Sequence, residues 1–252
     1  MKKVFLFLFF SSFILSCETL TFPDAIYGKI GNSQKHLVKI SQDEQLWTEL
    51  KYDIRNRIYQ IIRYYENESD TAFLEYNTNN QVTERKYGKI YVDKYIYQNG
   101  KLIQSLSFNL QNPEWNVKLV YRYKNNRIDY ANKYMNNNLV SKIQFGYNNN
   151  GNVISRKEYG IESTSDIPMK EYNYTYDNKI NPFHDLIYCP IDIIQTNNAV
   201  TMYHYAIFMS SLPTVYGMNY EYDKDGFPIS ATRYDTKHPY ITLNTYKFIY
   251  NQ

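Results

Sequence analysis

Two stretches of the chain repeat one another: FGYNNNGNVISRKEY at residues 145–159 and YEYDKDGFPISATRY at residues 220–234. Both open with an aromatic-x-Tyr pair, run through Asx residues to a glycine and an Ile-Ser, and close on a tyrosine at the same offset. Alternation of apolar and polar residues with a period of two indicates strands, and the Asx-Gly run between them indicates a turn. The repeated unit is therefore a β-hairpin.

The same outline recurs along most of the chain. Aromatic-x-Tyr pairs begin at Tyr95, Tyr121, Phe145, Tyr172 and Tyr220, Tyr246-x-Phe248 closes the series, and Leu50-x-Tyr52 and Leu74-x-Tyr76 precede it. The spacing is about 25 residues, except that the interval from Tyr172 to Tyr220 is 48 residues long and so predicts two units. The 29 tyrosines suit this pattern, because tyrosine packs its ring in a sheet while its hydroxyl reaches water.

The turns account for the many Asn, Asp and Gly residues. Short hairpin loops need a residue with positive φ, which Gly adopts freely and Asn and Asp tolerate best. The predicted structural turn residues are Asn99, Gly100, Asn150, Gly151, Asp225 and Gly226, and Asn56, Asn80, Asn125, Asn126 and Asn138 also fall where a residue with positive φ is required.

Consecutive hairpins pair with their neighbours, so the units predict one all-β antiparallel meander of roughly 12 to 16 strands. Open twisted sheets rarely exceed ~10 strands. We therefore expect a single β-meander repeat domain over residues 35–252 that is curled or closed into a barrel-like shell.

The N-terminus has the features of a secretion signal. Lys2 and Lys3 precede the apolar stretch VFLFLFFSSFIL, and Ile14-Leu15-Ser16-Cys17 resembles the lipobox of bacterial lipoproteins. This interpretation makes residues 1–16 a lipoprotein signal peptide, Cys17 the lipidated residue, and residues 17–34 the lipidated N-terminus and linker. The alternative is an ordinary signal peptide with a chance cysteine. Because Glu18 is not the aspartate that favours inner-membrane retention, we expect an outer-membrane anchor, on either the periplasmic or the surface face.

The repeat resembles a known family pattern. Tyr-x-Tyr-Asp-x-x-Gly with a closing tyrosine is similar to the tyrosine/aspartate (YD) repeat of Rhs-type proteins. Together with the lipobox, LVKI at 38–41, NPF at 181–183 and YDKDGFP at 222–228, it resembles a group of uncharacterised tyrosine-rich lipoproteins of Bacteroidota. Asn replaces the Asp in most copies, and the resemblance implies no established activity.

The acidic turn YEYDKDG also resembles the first half of a calcium-binding loop. Glu221, Asp223, Asp225 and Gly226 occupy the expected positions, but Thr232 stands where the loop needs a bidentate acid. The sister turn carries no acid at the matching offsets. We therefore favour a structural turn over a metal site, and the sequence predicts no cofactor.

Motifs for catalysis and nucleic-acid binding are lacking in the sequence. The four histidines show no metal-ligand spacing, and there is no nucleophile elbow, phosphate-binding loop or dinucleotide fingerprint. The net charge of +3 comes without a Lys/Arg cluster, which argues against a nucleic-acid partner. The protein is therefore predicted not to be an enzyme, with a hydrolase as a minority alternative.

The sequence predicts a membrane-anchored, non-enzymatic envelope lipoprotein that binds a glycan or protein partner. The alternative is a structural scaffold or shell without a small ligand. The segment from Pro182 to Pro213 is either an insertion that covers the core, with two buried strands, or a lip over a ligand groove. On the binding hypothesis, the candidate surface consists of Tyr203, Tyr205, Phe208, Tyr220 and Tyr222.

Overall fold

The structure is a computed structural model, and it describes residues 35–66, 68–161, 167–183, 196–206 and 214–251. The predicted signal peptide, Cys17 and the linker to residue 34 lie outside these ranges, as does Phe208. Within them, no helix is long and apolar enough to cross a membrane.

The described residues form sixteen β-strands and one short 3₁₀ turn at Pro113–Trp115. The strands are β1 (Leu37–Gln42), β2 (Gln45–Tyr52), β3 (Ile58–Tyr64), β4 (Ser69–Tyr76), β5 (Val82–Tyr87), β6 (Tyr91–Gln98), β7 (Lys101–Asn109), β8 (Val117–Lys124), β9 (Arg127–Met135), β10 (Asn138–Tyr147), β11 (Val153–Gly160), β12 (Lys170–Ile180), β13 (Asn197–Ala206), β14 (Thr214–Tyr222), β15 (Pro228–Asp235) and β16 (His238–Tyr250).

Each strand pairs antiparallel with the strands before and after it, and β1 pairs with β16. The sheet is therefore a closed barrel, which confirms the predicted all-β meander and decides between curling and closure. Closure removes the free edges that a sheet of this width would otherwise expose to other chains.

The predicted hairpin is the building unit of the barrel. In six units, an even-numbered strand ends in an aromatic-x-Tyr or Leu-x-Tyr pair, and the next strand returns after a tight turn, with a register shift beside the last tyrosine. These turns lie at one end of the barrel, which we call the repeat end; the other is the far end. At the seam, β16 and β1 complete a unit in the same way, since Leu37 pairs with Tyr250.

The turns use side chains to satisfy their own backbone. The side-chain oxygens of Asp53, Asn77, Asn148 and Asp223, one at the start of each of four turns, accept backbone N–H groups two or four residues later. Residues with positive φ in the repeat-end turns are Asn56, Asn80, Asn99, Gly100, Asn125, Asn126, Gly151 and Gly226.

Asn150 and Asp225 lie in turns, and the glycine that follows each of them takes the positive φ. One other turn residue differs from expectation. Asn138 already belongs to β10, and Asn136 and Asn137 form the positive-φ pair of the β9–β10 turn. For this turn the sequence thus placed the positive-φ residue one position too late.

Two units of the predicted repeat are out of phase by two residues. The positions equivalent to Tyr95-x-Tyr97 are Tyr174-x-Tyr176 and Phe248-x-Tyr250, rather than the pairs that begin at Tyr172 and Tyr246. In addition, the 48-residue interval contributes one barrel hairpin, β12–β13, where the sequence predicted two units. Of the segment between Pro182 and Pro213, the described part supplies a single strand, β13.

Candidate functional site

The repeat end of the barrel is sealed by tyrosines. Seven inward-facing tyrosines each donate a hydroxyl hydrogen bond of 2.6–3.0 Å to the carbonyl oxygen of a buried residue in the preceding unit. We call them the tyrosine ring: Tyr52, Tyr76, Tyr97, Tyr123, Tyr147, Tyr176 and Tyr250. The acceptors include Ile58, Val82 and Ile128, which are at most 2% exposed, so side chains fill the interior at this level.

Tyr220 and Tyr222, which the sequence suggested as binding residues, belong to this seal. Tyr220 donates to the carbonyl oxygen of Ala199 at 3.2 Å, whereas Tyr222 donates a short hydrogen bond to the carboxylate of Asp177. Burial raises the pKa of the Tyr222 hydroxyl, and its bond to Asp177 raises it further. Both hydroxyls are therefore engaged inside the barrel.

Two other predicted contact residues, Tyr203 and Tyr205, lie on the outer face of the sheet. Met202 points inward and is 3% exposed, and its neighbour Tyr203 alternates to the outer face, where it pairs with Asn173. Tyr205 lies on the same outer face. The structure therefore does not bring Tyr203 and Tyr205 together with Tyr220 and Tyr222, and Phe208 lies outside the described residues.

The oxygens of the acidic turn are occupied by the protein itself. Asp223 Oδ1 accepts the N–H groups of Asp225 and Phe227 at 2.9 and 3.0 Å. Lys35 Nζ lies 2.9 Å from Asp223 Oδ2 and 2.5 Å from Asp225 Oδ2. Within the described ranges, no group of three or more His, Cys, Asp and Glu residues could hold a metal ion. The turn is thus stabilised by Asx hydrogen bonds and a lysine.

The most unusual interior region lies on β11, β12 and β13. Tyr172, Tyr174 and Tyr176 follow one another along the inner face of β12, with ring centroids 6.5 and 6.3 Å apart. His204 of β13 stacks on Tyr172, with centroids 4.5 Å apart and planes within 7°. Burial raises the pKa of Tyr174 to about 12. Tyr172, Tyr174 and His204 therefore form a stacked ladder, and Tyr176, which belongs to the tyrosine ring, is tilted by 36° to Tyr174.

Arg156 of β11 lies beside this ladder. Its guanidinium carbon is 5.2 Å from the centre of the Tyr172 ring, a cation–π geometry. The residue is only 6% exposed, and its Nε atom has no hydrogen-bond partner in the part of the chain that the structure describes. A buried guanidinium nitrogen without a partner costs free energy, so this position calls for an explanation.

Glu158, two residues further along β11, is the buried carboxylate of the same region. It accepts hydrogen bonds from Ser141 Oγ at 2.7 Å and from Lys133 Nζ at 3.3 Å. Burial alone would raise its pKa, but Lys133, the Ser141 hydroxyl, Lys170 and Arg156 together hold it below its ordinary value. Glu158 is therefore ionised at neutral pH. We call Lys133, Arg156, Glu158, Lys170, Tyr172 and His204 the basic–aromatic cluster.

A second buried ion pair shows what a balanced interior site looks like. Arg85 donates from Nη2 to Asp93 Oδ2 at 2.8 Å, and Ser107 donates to the other carboxylate oxygen at 2.7 Å. Here one cation meets one carboxylate. In the basic–aromatic cluster, by contrast, three cations surround one carboxylate, which leaves a local charge of +2 among these groups.

Sequence reasoning missed this cluster because it concentrated on turns and tyrosines. The signal was present in the period of two: counting from the apolar Val153, the residues Arg156 and Glu158 fall on inward positions once the bulge after the turn is allowed for. His204 has no metal-ligand spacing in the sequence, and in the structure it packs on Tyr172.

Comparison with known proteins finds similarity in fold alone. No family model matches the chain, and no curated protein does. A porin-like protein from Bacteroides uniformis superposes with a TM-score of 0.55 at 13% identity, covering 85% of this chain and 96% of that one. A porin-like protein from Bacteroides vulgatus gives a TM-score of 0.53 at 15% identity, covering 86% and 99%. The chain therefore shares its overall fold with porin-like proteins of Bacteroides.

Proposed function

We propose that this protein is a lipid-anchored, non-enzymatic protein of the bacterial outer membrane that binds a glycan inside the far half of its barrel. The observation that carries the proposal is the stacked ladder of Tyr172, Tyr174 and His204 beside Arg156. Tyrosine rings offer rigid apolar surface with a polar edge, which suits the faces and hydroxyl groups of sugars.

The outer surface of the barrel supports anchoring by lipid rather than by insertion of the sheet. Outward-facing positions in the middle of the strands carry ionised side chains, which form ion pairs along the surface. A Lys or Arg on the lipid face of a membrane barrel costs about 2–4 kcal/mol at the midplane. Such positions include Glu49, Glu84, Lys86, Lys94, Lys142, Lys157 and Glu171.

The filled interior argues against a channel. A porin-type barrel keeps a water-filled lumen, and its inward residues are exposed to that water. Here the inward residues of the repeat-end half, such as Ile128, Ala131 and Tyr121, are at most 2% exposed. We therefore expect the barrel to present a blind recess at its far end, with the lipobox cysteine Cys17 supplying the membrane attachment.

Glycan binding is tested with the mature lipidated protein, purified in detergent and applied to an array of oligosaccharides. We expect saturable binding that Tyr172→Ala weakens up to about tenfold, because aromatic contacts contribute about 0.5–1.5 kcal/mol and about 1.4 kcal/mol corresponds to a tenfold change in affinity. Tyr59→Ala is the matched control, since Tyr59 lies on the outer surface and is 40% exposed. Bound sugar should be recovered intact. An array with no binding above background would rule the proposal out.

Anchoring is tested separately by replacing Cys17 with alanine. The wild-type protein should fractionate with the outer membrane and incorporate labelled palmitate, whereas the Cys17→Ala protein should do neither. Labelling that survives the substitution would contradict the lipobox interpretation without bearing on the glycan.

A structural shell without a ligand is the second candidate, and the tyrosine ring is the observation that favours it. Seven repeated hydroxyl-to-carbonyl bonds serve closure of the barrel and need no ligand. The two candidates differ at Tyr172 and His204: on the shell hypothesis their replacement lowers only the melting temperature, whereas on the glycan hypothesis it lowers ligand affinity in a protein that remains folded.

A further inference from the structure

The basic–aromatic cluster also indicates the chemical class of the glycan. We infer that the barrel binds an acidic saccharide, with a carboxylate or sulfate group of the sugar held by Arg156 while the sugar lies against the stacked pair of Tyr172 and His204. The inference rests on the proposed glycan-binding function and adds to it the charge of the ligand.

The first argument is the imbalance of charge. Lys133, Arg156 and Lys170 all act on Glu158, and Glu158 is the one carboxylate that the described residues of this cluster supply. Excess positive charge in a partly water-excluded recess is costly, because self-repulsion is screened poorly there. An anionic group on a ligand would offset that cost.

The second argument is the state of Arg156. A guanidinium offers five N–H donors in a planar fork that matches a carboxylate or sulfate in bidentate geometry. At Arg156, cation–π contact with Tyr172 fixes one face of the fork, while the buried Nε is left without a hydrogen-bond partner among the described residues. The side chain is oriented for recognition, and its donors are not consumed by the nearby Glu158, which bonds to Ser141 and Lys133 instead.

The third argument is access from the far end. The interior is closed at the tyrosine ring, whereas toward the far end the Lys133 side chain is 26% exposed. A saccharide that enters from this end would meet Lys133 first and then Arg156 with its aromatic neighbour. Cations at the entrance and in the interior also steer an anion inward.

A purely structural role would predict a different arrangement. Burying one carboxylate requires one cation and satisfied hydrogen bonds, as Arg85, Asp93 and Ser107 demonstrate in the same barrel. Two additional cations around Glu158 do not follow from packing. Aromatic stacking beside them is the combination expected at an acidic-sugar site, because the ring and the charge recognise different parts of the same residue.

The test compares charged and neutral forms of one sugar. Tetragalacturonic acid, its fully methyl-esterified form and a sulfated heparin-derived tetrasaccharide are titrated into the mature lipidated protein in detergent, with affinity measured by calorimetry. We expect the acid or the sulfated sugar to bind at least about tenfold more tightly than the neutral ester, with affinity falling as salt rises. The two acidic probes distinguish a carboxylate-bearing from a sulfate-bearing ligand.

Arg156→Gln should lower the affinity for the preferred acidic probe at least about tenfold, while Lys157→Gln should leave it unchanged. Lys157 is an ideal control, because it is the next residue on β11, removes the same charge, and faces outward toward Glu171 at 3.1 Å. Circular dichroism would establish that both variants are folded. If Arg156→Gln is unfolded, Lys133→Gln provides the same comparison of charge and should weaken acidic ligands only.

Two results would overturn the inference. Equal binding of the acid and its methyl ester would remove the role of charge but leave glycan binding intact. Equal losses in Arg156→Gln and Lys157→Gln would place the charge effect outside the barrel. Failure of the proposed function is distinguishable, since then neither acidic nor neutral saccharides would bind.

Discussion

The hydroxyl of Tyr52 donates a hydrogen bond of 2.6 Å to the carbonyl oxygen of Leu37, which lies at the seam where β1 meets β16. The same bond recurs around the barrel, so the effect of one substitution indicates what each bond of the tyrosine ring contributes to stability. Tyr52→Phe keeps the packed ring and removes the donor, and we expect the free energy of unfolding to fall by about 1 kcal/mol. Urea denaturation measures it. Tyr59→Phe, on the outer surface, should be neutral; equal effects in both variants would contradict a special role for the ring.

Gly226 tests the turn chemistry, because its φ is +85° and a Cβ there would meet no atom within 4 Å. Any cost of substitution is therefore conformational. Gly226→Ala should lower the free energy of unfolding by roughly 1 kcal/mol, and Gly226→Asn by less, since Asn56 and Asn80 occupy the same conformation in sister turns. Thermal melts of the two variants give the order, and an Ala variant as stable as the Asn variant would contradict this explanation.

Much of this fold could be predicted from the sequence, because each repeat carries the signals for its own strands and turn. Period-two alternation located the strands, Asx and Gly residues located the turns, and the limit on open sheets required the meander to curl or close. The repeat was assigned two residues too early at Tyr172 and Tyr246. In both units an additional inward-facing tyrosine precedes the aromatic-x-Tyr pair that ends at the turn. When neighbouring inward positions are also aromatic, the residue type alone cannot show which aromatic pair lies next to the turn.

The candidate site was much less accessible. Arg156 and Tyr172 are separated by 16 positions, and only the pairing of β11 with β12 places them side by side. Glu158 and Lys133 come from strands β11 and β9, which are separated by β10, and they meet on the inner face beside Ser141 of that strand. Contacts of this kind depend on the curvature of the barrel, for which local sequence carries little signal.

The acidic turn provides a prediction about calcium. Because Asp223 and Asp225 already bind Lys35 and the backbone of the turn, millimolar calcium should raise the melting temperature no more than sodium chloride of equal ionic strength. Scanning calorimetry of the mature protein measures both. A rise of several degrees that is specific to calcium, and that disappears when both aspartates are replaced by asparagine, would show that a metal site exists after all.

Glu158 predicts how stability depends on pH. Its pKa is lowered in the folded protein, because the cations and Ser141 outweigh the effect of burial. The stabilisation that ionised Glu158 contributes to folding is therefore fully present above the unfolded-state pKa of ~4.3 and is lost as the pH falls through the folded-state pKa. Glu158→Gln should lower the free energy of unfolding by roughly 3 kcal/mol at pH 7, and its difference from wild type should narrow below about pH 4.

Urea denaturation between pH 3 and pH 7 measures this dependence. Glu171→Gln is the matched control, because Glu171 pairs with Lys157 on the outer surface and should contribute less than about 1 kcal/mol at any pH. A difference between Glu158→Gln and wild type that stays constant across this range would mean that the ionised form of Glu158 is not what stabilises the interior.

Gly217 and Tyr234 are directly paired on the outer face of β14 and β15, and the tyrosine ring covers the glycine so closely that a Cβ at Gly217 would overlap it. Gly217→Ala should therefore displace the ring and lower the free energy of unfolding by about 1 kcal/mol. In a Tyr234→Ala background the same substitution should instead be neutral or stabilising, because alanine is better than glycine in an open strand position. A double-mutant cycle by urea denaturation measures the coupling. Additive effects would contradict the contact, whereas a reversal of sign would establish that Gly217 is required by its aromatic neighbour rather than by the backbone.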